Sequence, residues 1–284
     1  HHSNIVPWQM VRERTGCIIK VIPITDDGDI DMDAYRVMLG PRTKLVSIVH
    51  VSNSLGTVNP VKEIVRLAHE VNALTLVDAA QSVACMPVDV RDIDCDFLAF
   101  SAHKCFGPTG VGVLFGKPDR LEQLPPMMGG GDMILSVAFE KTTYNRVPFK
   151  FEAGTANIAG VFGLGAAIDY MRNLGMASIV AHEEDLRDYA TRTLLSLPDV
   201  RIIGQAREKA AIVSFISGDI HAHDLGTLLD VEGIALRTGH HCTQPVMERF
   251  KVMATARAAF SIYNTHEEVD RLAEGILRAQ EIMG

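Results

Sequence analysis

Over its first two-thirds the chain alternates short apolar runs with amphipathic stretches. Runs at residues 18–23, 45–51, 74–78, 97–101 and 111–115 have the length and β-branched or aromatic content of buried strands. Between them, residues 31–39 and 60–70 carry apolar positions at helical spacing, and Pro60 suits a first helical turn, where a missing N–H costs nothing. The alternation predicts an α/β fold, a mostly parallel sheet covered by helices. After "FEAGTANIAG" the texture changes. Helices are expected at 161–174, 178–197 and 223–232, with short strands at 200–203, 211–215 and 234–237. The closing stretch "NTHEEVDRLAEGILRAQEIM" reads as a helix whose Thr265 and Glu268 have capping-box spacing. We expect a large domain over residues 1–170 and a smaller α+β domain over residues 171–284, with no internal repeat.

Composition narrows the chemistry. The 284 residues are 47% apolar, enough for a sizeable core, and the formal charge of -8 is spread without like-charge blocks. That balance argues against nucleic acid or an anionic membrane as the main partner, and no apolar run approaches the roughly 18 residues of a membrane span. Five scattered cysteines, without a C-x-x-C pair, point away from a disulfide framework or a structural zinc site and toward a reducing, cytoplasmic setting. The chain opens "HHSNIVPWQM", which reads as the middle of a domain, although two leading histidines alone are also compatible with a purification tag.

Three strand exits carry the candidate chemistry. Ligand sites in open α/β sheets gather beyond the carboxyl ends of strands. "SAHKCFGPTG" sets Lys104 at such an exit, beside a glycine-rich turn, with Ser101 and His103 able to donate to a phosphate. An arbitrary lysine there is a surface turn residue, and the motif fails as a Walker-type loop. "LTLVDAAQ" ends a second strand on Asp78, with Gln81 one turn further on. Such a carboxylate either caps a helix or holds a heterocyclic nitrogen protonated, as pyridoxal phosphate requires. "VHVSN" places Asn53 at a third exit, in reach of that ring's phenolic oxygen or of the substrate.

A last constellation is "RTGHHC", with Cys242 beside His240 and His241 and five residues after Arg237. Adjacent residues seldom point at one ion, so a metal site is not favoured, and "HAHD" at 221–224 reads as a helix start. Cys17, Cys85 and Cys95 lie in or near apolar segments suited to inert packing. Cys242 differs: its loop is polar, and cationic when a histidine protonates, which favours thiolate. Arg237 and Arg257 are candidates to grip a carboxylate through the guanidinium fork, Arg257 being the less ordinary because small apolar residues flank it.

Taken together, "HHSNIVPWQ", "HVSNSLGTVNP", "LVDAAQS", "DFLAFSAHKCFGPTGVGVL", "GGGDMI", "FEAGTANIAG", "RTGHHCTQPVM" and "YNTHEEVDRL" resemble a group II, SufS-like cysteine desulfurase, a class V member of the fold-type I pyridoxal-phosphate enzymes. The resemblance implies that Lys104 bonds covalently to the cofactor aldehyde and then serves as base. Asp78 would pair with the pyridine nitrogen and Gln81 with the phenolic oxygen, and His1 would stack on the ring, which makes the leading histidines native. It gives Ser101 and His103 the phosphate, with Thr155 reaching the phosphate site of a second copy in a homodimer. Arg257 becomes the main carboxylate anchor and Cys242 the nucleophile that takes sulfur from L-cysteine as a persulfide, leaving L-alanine. The sulfur would pass to an acceptor protein of iron–sulfur cluster assembly. Selenocysteine lyase activity on L-selenocysteine is the near alternative. The family also has an N-terminal segment with no counterpart in this sequence, so the chain is expected to be part of a longer enzyme; a degenerate, non-catalytic chain is the other reading.

Overall fold

The computed structural model describes residues 1–283. In chain order the helices are α1 (Val6–Thr15), α2 (Met32–Met38), α3 (Val61–Glu70), α4 (Ser82–Cys85), α5 (Val90–Ile93), α6 (Pro118–Gln123), α7 (Ile158–Leu174), α8 (Met176–Leu195), α9 (Ala222–Val231), α10 (Gln244–Phe250) and α11 (His266–Met283). The strands are β1 (Leu45–Val49), β2 (Leu74–Asp78), β3 (Phe97–Ser101), β4 (Gly112–Gly116), β5 (Ile134–Val137), β6 (Thr142–Tyr144), β7 (Val200–Ile203), β8 (Ile212–Ser217), β9 (Arg237–Gly239) and β10 (Thr255–Ala259).

The fold is α/β. The first sheet has the order β1-β2-β3-β4, parallel through β3 and closed by antiparallel β4. Its core joins Val46, Ile48, Val77 and Leu98 to Ile64, Val65 and Ala68 of α3 and Tyr35 of α2. The apolar positions of α3 fall three and four apart and so form one stripe, which is why that helix lies on the sheet. Asp31 caps α2 by accepting from the N–H groups of Asp33 and Ala34. The second sheet, order β7-β8-β10-β9, is antiparallel and packs on α9 and α11 through Phe215, Leu225, Leu229 and Ile276. Glu268 and Thr265 bond reciprocally at the start of α11, at 3.1 and 3.4 Å, as the capping-box spacing predicts.

Four expectations need correction. Residues 18–23 form no strand: among the described residues no strand ladder includes them, the Pro23 carbonyl accepts from the Asp31 N–H of the following turn, and Ile18 and Val21 are exposed. Cys17 consequently lies exposed rather than packed. Pro60 is the N-cap of α3 rather than its first helical residue, and the strand expected at 234–237 begins only at Arg237, where β9 finds β10 as a partner. Helix α7 runs through residue 170 without a break. Among the described residues no helix is long and apolar enough to cross a membrane.

Candidate active site

The parallel strands β1, β2 and β3 end at one rim of the first sheet. Beyond β1, the His50 N–H donates to the Asp78 carbonyl at 2.9 Å, and a tight turn closed by Gly56 N–H on the Ser52 carbonyl holds buried Asn53. Asp78 ends β2, its Oδ1 accepting from the Ala80 N–H at 3.0 Å, and Gln81 sits at the N-cap of α4. Ala79 N–H donates to the Ala99 carbonyl of β3, which keeps Asp78 beside the strand that leads to Ser101 and Lys104. Directly after Ser101 a 3-10 turn, Ala102–Lys104, turns the chain away from the sheet. Gly107 then folds back on it: a Cβ there would stand 2.9 Å from the Ala102 carbonyl oxygen, so a larger residue would open the turn.

From the second sheet, β9 leads into the loop carrying Cys242, whose residue is exposed. His241 and Cys242 both adopt left-handed backbone, with φ of 53° and 58°. For a residue with a side chain that costs about 1–2 kcal/mol each, so other bonds must hold the loop. The Asn53 amide donates from Nδ2 to the His241 carbonyl at 2.7 Å. Arg257 of β10 donates from Nη1 to the Asn53 carbonyl at 2.6 Å. His241 Nε2 lies 2.9 Å from Thr255 Oγ1 and 3.2 Å from the Thr255 carbonyl. From the start of the chain, the His2 N–H donates to the Cys242 carbonyl at 2.8 Å. Asn53, Arg257 and Cys242 thus belong to one bonded cluster spanning both sheets.

Electrostatics change one expectation. Burial, with Arg257 nearby, pushes the His241 imidazole down to about 4, so this histidine stays neutral and supplies no positive charge to Cys242. Burial and then the facing Arg237 lower Arg257, whose Nε is buried without a hydrogen-bond partner among the described residues. Arg237 is exposed and opposite Arg257 in the β9–β10 register. The other buried or half-buried thiols are made less acidic by burial: Cys85 rises to about 12, Cys95 to about 11, and Cys105 rises as well.

The remaining expected residues fall as follows. His1 is half-buried, and its Nδ1 accepts from the Ser3 N–H at 3.2 Å. Ser101 is half-buried at the rim, and His103 is exposed beside Lys104. Thr155 is exposed in the segment before α7 and joins the cluster through no hydrogen bond among the described residues. That segment does approach the glycine-rich turn, since Asn157 lies beside Gly110. Two participants, His2 and Thr255, are not marked as site residues by the sequence, and His241, read there as a possible cation beside Cys242, is instead a buried structural member. The doubled histidines of "HHSN" and "HHC" were the only hint. Among the described residues no group of three His, Cys, Asp or Glu side chains is placed to hold a metal ion.

Candidate side chains at three parallel strand ends, with Asn53 among them bonded to an arginine and a thiol loop on the second, antiparallel sheet, define an α/β enzyme class, and the aminotransferase class-V profile matches residues 1–272. The chain belongs to that family. Among its relatives, the cysteine desulfurase of Escherichia coli (strain SE11) is 47% identical over 285 residues, covering 100% of this chain and 70% of the relative. A Streptomyces coelicolor protein named "Probable cysteine desulfurase" is 50% identical over 286 residues, covering 100% of this chain and 68% of its own length. The crystal structure of the cysteine desulfurase CsdA (S-sulfonic acid) from Escherichia coli superposes with a TM-score of 0.96 at 36% identity, covering 100% of this chain and 71% of that one.

Proposed function

We propose that the chain is the catalytic part of a pyridoxal-phosphate-dependent cysteine desulfurase of the group II, SufS-like kind, working in the cytoplasm. The observation that carries this reading is the bonded path from Arg257 through Asn53 to the loop of exposed Cys242, at the rim where Asp78 and Lys104 emerge. It links a carboxylate-binding guanidinium to the thiol that would act on the same substrate.

The donor set fits the cofactor. Lys104 enters no ion pair or side-chain hydrogen bond among the described residues, and the Asp78 carboxylate accepts only from Ala80, leaving an oxygen for a ring N–H. When bound, pyridoxal 5'-phosphate supplies an electron-poor ring that acidifies the substrate Cα and takes up the electron pair of the breaking carbon–sulfur bond. Lys104 would hold the cofactor and carry the Cα proton. Asp78 would keep the ring nitrogen protonated, Gln81 and Asn53 would orient ring and substrate, and His1 would cover the ring face. Ser101 and His103 would donate to the phosphate, with Thr155 serving the site of a second copy. Arg257, helped by Arg237, would bind the α-carboxylate, and the free Arg257 Nε fits that role. Cys242 thiolate would form the sulfur–sulfur bond to the substrate, L-alanine would leave, and the persulfide sulfur would pass to an acceptor protein of iron–sulfur cluster assembly.

A homodimer is supported by an exposed apolar surface. Leu135, Val137 and Phe139 on the β5–β6 hairpin and Ile158, Val161 and Phe162 at the start of α7 flank the segment that carries Thr155. Residues 1–170 would supply the cofactor site and residues 171–284 the cysteine loop. The test is an absorption spectrum of the pyridoxal-phosphate-loaded full-length protein with and without L-cysteine, together with alanine release. Lys104→Ala should abolish both the covalently bound chromophore and alanine formation. Cys242→Ala should keep the chromophore and lose turnover on cysteine. A Cys242→Ala variant that desulfurates cysteine at the parental rate would overturn the nucleophile assignment.

A further inference from the structure

We propose that the buried His241–Thr255 pair is a positioning device for Cys242, setting the left-handed backbone that presents its thiol to the substrate. The inference rests on the desulfurase reading for its kinetic consequence but on geometry for its substance. Two consecutive residues with side chains hold φ of 53° and 58°, a conformation that short loops adopt only where their surroundings enforce it. His241 is 3% exposed and Thr255 fully buried, so the imidazole is lodged against β10 of the second sheet while the next residue stands in solvent. Nε2 meets both oxygens of Thr255, at 2.9 and 3.2 Å, and the carbonyl of the same histidine is held by Asn53 at 2.7 Å. Side chain and main chain of His241 are therefore pinned to different elements, β10 and the turn after β1. With both ends fixed, the peptide that continues into Cys242 has little freedom.

The neutral state of the imidazole agrees with this role. A charged ring in that position would face Arg257 and Arg237, and the fold keeps the proton off. His241 acts through Cys242 rather than on substrate, which makes it a positioning residue. Because Asn53 is itself bonded to Arg257, the pinned loop shares a rigid frame with the guanidinium proposed to take the carboxylate. The spacing between that carboxylate site and the thiol is what the pair maintains.

The experiment uses the full-length, cofactor-loaded protein and three variants, Thr255→Val, Thr255→Ser and His241→Asn. Valine keeps the volume and removes the hydroxyl, serine restores it, and asparagine tolerates the left-handed backbone but is too short to keep the bond. Amide hydrogen exchange of the peptide covering residues 239–245 reads the loop directly and needs no turnover, so it separates failure of this inference from failure of the desulfurase reading. Thr255→Val and His241→Asn should raise exchange there at least about tenfold while cofactor absorbance and thermal midpoint stay near parental. For L-cysteine, kcat should fall about tenfold or more with KM within twofold, and Thr255→Ser should recover most of both effects. If Thr255→Val does not fold, His241→Asn carries the same readouts. Parental protection and kcat in the variants that lose the bond, or parallel losses of kcat, cofactor and thermal midpoint that serine does not rescue, would overturn the assignment.

Discussion

The backbone N–H of His2 donates to the carbonyl of Cys242 at 2.8 Å, tying the opening turn of the described chain to the loop that carries the exposed thiol. The His2 side chain adds a second tie, Nε2 accepting from the Gln244 N–H at 3.3 Å. That N–H is one of the otherwise unpartnered donors at the start of α10.

Replacing His2 removes only the side-chain tie. We expect His2→Ala to weaken the loop by about 1 kcal/mol, the usual worth of one hydrogen bond. Alanine release from L-cysteine should slow severalfold while the cofactor absorbance of the loaded enzyme is unchanged. A rate within the error of the parental one would show that the backbone bond alone suffices.

The first sheet was largely legible because its signals are local. The runs at 74–78 and 97–101 become β2 and β3 at the residues expected, and Asp78, which ends β2, and Lys104, in the turn after β3, emerge at the rim that parallel topology makes a ligand site. The run at 18–23 has the same composition but no neighbour to pair with, and strand propensity without a partner does not make a strand. The strand expected at 234–237 is instead Arg237–Gly239 for a related reason: which three residues pair is decided by β10, not by the apolar residues preceding Arg237. The bonds around Cys242 were illegible in principle, since Asn53, His2 and Thr255 are far from it in sequence. "HHC" reads as two cations beside a thiol until burial of the second histidine is known.

Glu183 of α8 is 5% exposed, and among the described residues its carboxylate has a single hydrogen bond, from Ser261 Oγ at 3.2 Å. Burial raises this carboxyl from 4.5 to about 7, against the smaller opposing effect of Ser261. Below pH 4.5 the folded and unfolded chains both hold the proton. Between 4.5 and about 7 only the folded chain does, so stability falls as pH rises through that window and levels off above it. The span corresponds to about 3 kcal/mol. Urea unfolding at pH 5 and pH 8 should show Glu183→Gln losing less stability than the parent between the two values. An identical difference in both proteins would rule out a buried, protonated Glu183.

His50 works in the opposite sense. Its ring is buried, Nδ1 has no partner among the described residues, and burial lowers it from 6.5 to about 4. Between pH 6.5 and about 4 the unfolded chain binds a proton that the folded chain refuses, so stability is lost as pH falls through this range and is fully present above it. Because Glu183 offsets part of that slope, the contribution is visible only by difference. His50→Gln should flatten the acid limb of the stability profile, measured by denaturant unfolding from pH 7 to pH 4. A slope as steep as that of the parent would assign acid sensitivity elsewhere.

Arg257 and Arg237 face each other across β9 and β10, yet their surroundings assign them unequal work. Arg237 is exposed, where water screens its charge and leaves its side chain free to move. Arg257 is largely enclosed, fixed by one bond to the Asn53 carbonyl, and retains a buried N–H with no acceptor among the described residues. A desolvated, pre-oriented guanidinium gains most from a carboxylate, because the alternative is an unsatisfied buried donor. Arg257→Lys keeps the charge and loses the fork, so KM for L-cysteine should rise more than about tenfold. Arg237→Ala should raise it no more than about threefold, and should also ease the repulsion that lowers Arg257. Steady-state alanine release over a range of L-cysteine concentrations distinguishes the two. Should Arg237→Ala prove the more damaging, the exposed arginine would be the carboxylate anchor and the buried one a structural support for the Asn53 turn.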